Sequence, residues 1–155
     1  MRRALLAFLL TCLSAPTALA QTRDVKTLTL DGAGRVADAA QSEARRRGWD
    51  VAIAVVDPGG GLIVFRRMDG VQHASVDIAI EKARTSARFR RPSKAMADAV
   101  GRGTVGLVGV DGMLMMEGAL PVIVDSVVVG AVGISGMTGA QDAEIAAAGI
   151  AALQK

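Results

Sequence analysis

The segment Ala74–Arg91, ASVDIAIEKARTSARFRR, constrains the fold more than any other. Val76, Ile80, Ala83 and Ala87 recur at helical spacing and give a narrow apolar face. Ala79, Ala83 and Ala87 form a strip of small residues along which a sheet or a second helix can approach closely. Asp77 and Glu81, four apart, share another face. Arg84, Arg88, Arg90 and Arg91 make the C-terminal end basic, the sign that suits the negative end of a helix dipole. Pro92 then pushes the preceding residue out of helical geometry. The expectation is a central helix laid across a sheet, with an outer surface that is acidic first and basic later.

The rest of the chain reads as partners for that helix. Asp31 stands where a helix N-cap is expected, ahead of a helix from about Gly32 to Arg47 that Gly48 ends. Asp50–Val56 and Leu62–Arg67 read as strands. Between them Asp57-Pro58-Gly59-Gly60-Gly61 is a turn by chemistry, which makes a hairpin. Ser93 is placed to cap a helix from Lys94 to about Gly101, and Arg102–Leu114 is glycine-rich and irregular. A second hairpin joins Val122–Val124 to Val127–Ser135 through Asp125-Ser126. Its last strand is apolar on both faces and so central. Gly130 and Gly133 there admit another backbone or a helix. A final helix is expected from Asp142 to about Leu153. Hairpins without long crossovers imply an α+β domain, an antiparallel sheet with helices on its faces.

Residues 1–20 are expected to form a cleaved signal peptide. Arg2 and Arg3 precede the short apolar run Ala4–Leu13, and Ala18-Leu19-Ala20 is a small-residue cleavage site. The run is too short to span a bilayer. Cys12 raises a lipoprotein signal, but Thr11 fits poorly just before it. A mature chain of residues 21–155, one domain, periplasmic or secreted and with no transmembrane segment, is the expectation. Of 18 Lys+Arg, Arg2 and Arg3 leave with the signal, so 16 stand against 15 Asp+Glu. Near-neutrality, and the lack of a basic stripe with interleaved aromatics, argue against nucleic acid. The mature chain has no cysteine, which excludes disulfides and thiolate-bound metals. Gly32-Ala33-Gly34 follows no apolar strand and lacks the third glycine of a dinucleotide site.

Met68-Asp69-Gly70, the run Ser75–Ser86, Gly118-Ala119-Leu120-Pro121-Val122, the run Val129–Gly136 and the late Asp142…Ala146…Gly149 together resemble the GlcG/HbpS family of haem-binding and haem-degrading proteins. The resemblance covers roughly Leu28–Leu153. It departs at Ala119, where the family usually has a second glycine. It implies a profilin-like fold with five antiparallel strands, assembly into homo-oligomers, and haem as the ligand. It also implies peripheral iron binding through acids on the central helix, which maps onto Asp77 and Glu81.

The residues themselves leave each site open. His73, the single histidine, is a candidate axial haem ligand or a solvated side chain. Arg84, Arg88, Arg90 and Arg91 can receive haem propionates as bidentate guanidinium–carboxylate pairs, or form a solvated helix end with pairs such as Glu81–Arg84. Asp77 and Glu81 offer oxygens to a hard cation or to basic neighbours. Met113, Met115 and Met116 raise soft-metal binding, against ordinary packing. No catalytic residue is expected: there is no mature cysteine and no serine elbow beside the lone histidine. Three functions follow. The first is an exported haem binder that stores, shields or senses haem; the second is a haem-degrading enzyme; the third is a small-molecule binding module without haem.

Overall fold

A computed structural model describes residues 21 and 23–153. The signal-peptide reading of residues 1–20, Cys12 included, lies outside the described residues. Helix α1 (Leu30–Arg47) is followed by β1 (Ala52–Val56), β2 (Leu62–Arg67), α2 (Ser75–Phe89) and α3 (Ser93–Gly101). A short 3-10 turn (Val105–Gly109) leads to β3 (Ala119–Val124), β4 (Val127–Ser135) and α4 (Gly139–Ala151). The four strands form one antiparallel sheet in the order β2-β1-β4-β3. The fold is therefore α+β, with four strands among the described residues where five were expected.

Strand alternation divides the core in two. Ile53 and Val55 of β1 and Val132 and Ile134 of β4 face α1 and α4, packing on Val36, Ala40, Ile145 and Ala146. Ala52, Ala54 and Val56, with Ala131, face α2 and meet Ala79, Ala83 and Ala87. The alanine strip thus rests on the sheet as expected. A Cβ on Gly133 would overlap the backbone carbonyl of Ala79 and the amide of Ala83. The missing side chain is what lets α2 lie so close. Val76 and Ile80 are only half buried, because the buried stripe is rotated towards Ser75, Lys82 and Ser86.

Several element starts differ from the sequence reading, each for a hydrogen-bonding reason. Thr29, not Asp31, caps α1: its hydroxyl accepts from Gly32 N at 3.1 Å, and Asp31 sits in the first turn beside the positive helix end. Thr138 caps α4 in a reciprocal capping box with Gln141, so that helix begins before Asp142. Ser93 caps nothing; its buried hydroxyl accepts from Ala119 N at 3.0 Å and ties α3 to the start of β3. β3 runs through Pro121, which an edge strand tolerates because no neighbour needs the missing N–H.

The turns behave as their residues dictate. Asp57 Oδ1 accepts from Gly59 N and Gly61 N, both at 2.8 Å, closing the β1–β2 connection. Asp125 and Ser126 both take positive φ in the two-residue β3–β4 turn. Gly34 in α1 borders open space, with nothing within 4 Å of where a Cβ would stand. Gly34→Ala should therefore stabilise the protein by about 0.5–1 kcal/mol through helix propensity alone. Urea unfolding with an unchanged slope reads this directly; a loss of stability would contradict the open site.

Candidate functional site

The sequence candidates lie along α2, and the helix holds them apart. Its 15 residues span about 22 Å at 1.5 Å per residue. His73 is exposed just before the first turn, and Arg88 to Arg91 lie at the far end. A single cleft in one chain does not bring them together.

At the first end, Arg67 Nη2 stands 3.3 Å from His73 Nδ1. A guanidinium has only donors, so this contact makes Nδ1 the acceptor and leaves the neutral ring's proton on Nε2. Ligation of iron through Nε2 would require that arrangement to break. Beside it lies a polar cavity of about 350 Å³ lined by Gln41, Arg45, Asp50, Arg67, Met68, Asp69 and Gly70.

At the other end, two of the expected propionate arginines serve the fold. Arg84 Nε donates to Gly60 O at 3.2 Å, and its Nη1 pairs with Glu81 Oε1 at 2.6 Å, the intrahelical pair expected from the spacing. Arg88 Nε donates to Gly59 O at 3.0 Å. Together they clamp the β1–β2 turn onto α2. Arg90 ends the helix with φ 54, and the backbone of Arg91 folds back onto Ser86. Arg90, rather than Arg84, Arg88 or Arg91, opens onto a groove of about 820 Å³. Arg23, Lys26 and Arg90 supply its cations, and Val25, Ile123 and Val127 much of its apolar wall.

Asp77 is exposed, while Glu81 is half buried. Glu81 Oε1 is held by Arg84, and Oε2 is shielded from solvent with no hydrogen-bond partner. Among the described residues, no group of three or more His, Cys, Asp or Glu side chains is placed to hold a metal ion. Asp77 and Glu81 alone give a cation at most two carboxylates from this chain.

Sequence reasoning misses one buried ion pair. Lys82 of α2 and Asp142 of α4 are 2% and 1% exposed and pair at 2.8 Å, although their helices cover opposite faces of the sheet. Lys82 Nζ also donates to Ile134 O at 3.1 Å, and Asp142 Oδ1 accepts from Met137 N at 3.0 Å. The lysine crosses beneath Gly118, whose Cβ would lie 2.6 Å from Nζ. Desolvation pushes the Asp142 carboxyl above the usual range, with the hydrogen bond and charge of Lys82 opposing. A charge one position from Ala83, on the buried stripe, was the available signal.

Residues 28–151 match the family described as "Haem degrading protein HbpS-like". Over 103 residues the chain is 43% identical to the Escherichia coli K12 protein GlcG, covering 66% of this chain and 77% of GlcG. The crystal structure of a double mutant of Streptomyces reticuli HbpS superposes with TM-score 0.82 at 32% identity, covering 90% of this chain and 97% of that one. The PduOC chain, solved as a haem complex, gives TM-score 0.75 at 25% identity over 81% of this chain and 94% of its own. With matches this long in both sequence and structure, the chain belongs to the GlcG/HbpS family.

Proposed function

We propose that this protein is an exported haem binder that stores, shields or senses haem, working as a homo-oligomer in the periplasm or outside the cell. The observation that carries the haem part is the PduOC–haem complex, a relative of the same fold along 94% of its length. The composition of the chain agrees with a ligand held near the surface: aromatic residues are only 3%, too few to line a deep porphyrin cleft. Export rests on the signal-like residues 1–20. Haem would bring iron and its redox chemistry, while this chain supplies cations for the carboxylates and apolar surface for the ring. Peripheral iron at Asp77 and Glu81 belongs to the same reading, with the unpartnered Glu81 Oε2 as its support.

Titration of the mature protein with haemin should give a saturable shift of the Soret band. Absence of saturation removes the proposal. The family description favours a second reading, oxidative breakdown of haem. With a reductant and oxygen, loss of the Soret band with release of iron and an open-chain pigment would establish it; haem that survives would leave a binder.

A further inference from the structure

We infer that the groove between the C-terminal end of α2 and the β3–β4 hairpin seats the flat, carboxylate-bearing body of a tetrapyrrole, and that it does so without ligating the metal. This rests on the haem reading and says where, and by which forces, such a ligand is held.

Size comes first. About 820 Å³ is within the range of small-molecule sites, roughly 300–1,000 Å³. The wall is apolar and open: Val25, Ile123 and Val127 are 61%, 52% and 42% exposed. Large apolar side chains left in water next to one another mark a surface that something covers. Charge selects the occupant. Arg23, Lys26 and Arg90 stand on the rim against one opposing carboxylate there, Asp24. Lys26 is shared with Asp125 at 3.0 Å, but both side chains are more than half exposed. Such a pair is worth little, so a ligand carboxylate can replace it at small cost. An apolar plane with anionic edges satisfies wall and rim together, because guanidinium forks match carboxylates.

The lining is equally informative for what it lacks. The usual protein ligands of haem iron are His, Cys, Met and Tyr. The lining residues of this groove include none of them. His73 lies at the other end of α2, with Nδ1 engaged by Arg67. Within one chain, the ring and its carboxylates are therefore what this groove can hold.

The test compares haemin with metal-free protoporphyrin IX, by absorbance and by porphyrin fluorescence, on the mature protein. Variants are the exposed charge reversals Arg23→Glu with Arg90→Glu, and separately His73→Ala; circular dichroism confirms that each is folded. The two ligands should bind the parent with similar affinity. The double reversal should weaken both about tenfold or more, as expected for losing two ion pairs to carboxylates. His73→Ala should change neither. Haemin binding that ignores the double reversal, or that vanishes with His73→Ala, sinks the groove and leaves the haem reading standing. Haemin binding without porphyrin binding also sinks the groove, because the metal would then be the anchor. Porphyrin binding that the reversal abolishes, with no haemin binding, upholds the groove and removes the haem reading. Binding of neither removes both. A reversal that changes only the sedimentation coefficient assigns the face to contact between copies of this chain and overturns the proposal.

Discussion

Asp142→Ala should cost about 3–5 kcal/mol, the range for removing one partner of a fully buried ion pair. For a chain of 155 residues that corresponds to a fall in Tm of roughly 10–15 °C. The substitution leaves the Lys82 ammonium buried with the Ile134 carbonyl as its remaining partner, and removes the acceptor for Met137 N. Lys82→Met with Asp142→Leu should recover most of the loss, since two apolar side chains of similar volume need no solvation. The pH dependence follows from the raised Asp142 pKa. Between the ordinary carboxylate value of 3.8 and the raised one, the folded state holds a proton that the unfolded state has lost. Asp142 therefore favours folding most at the acid end of that window, and its contribution declines as pH rises through it. Asp142→Asn should remove this slope. Thermal unfolding of the four proteins at several pH values checks all of this; an Asp142→Ala protein within about 1 kcal/mol of the parent would refute the assignment.

Gly133→Val should reach or exceed the upper end of the usual cost of overpacking a tight core, about 1–3 kcal/mol. Its side chain would fall on the Ala79 carbonyl, the Ala83 amide at 2.6 Å and the Ala83 Cβ at 2.9 Å. The backbone of a packed helix cannot step aside as a flexible side chain can. α2 would have to lift from β1 and β4, uncovering Ala52, Ala54 and Ala131. Hydrogen exchange should then show α2 amides opening well below the global unfolding free energy. The double variant Gly133→Val with Ala83→Gly should recover part of the loss, because it removes one of the clashing carbons. Retention of parental stability by Gly133→Val would mean that helix and sheet are not in such close contact.

Haem binding by this chain would have its determinants on exposed side chains, so the groove variants leave these packing terms untouched. The two kinds of experiment are independent: Arg23 and Arg90 report on the ligand, Asp142 and Gly133 on the scaffold that presents it.

Local chemistry by itself determined most of the elements. The 3.6-residue recurrence of Ala79, Ala83 and Ala87, the Asp-Pro-Gly turn and the Asp125-Ser126 turn act over a few residues, so they are legible along the chain. The glycine at 133 also pointed to a close approach, one of the few roles a glycine has inside a strand. Only the tertiary structure decided what depends on partners far apart in sequence. Lys82 and Asp142 are 60 positions apart; helical spacing puts Lys82 on the buried stripe of α2, but only the fold supplies the carboxylate that it meets there. Arg84 and Arg88 looked free for a ligand until Gly59 and Gly60 were brought beneath them by the hairpin. The groove is the same case: Arg23, Arg90 and Ile123 come from three separate segments, and only the closing of the sheet under α2 makes their charge and apolar surface one site.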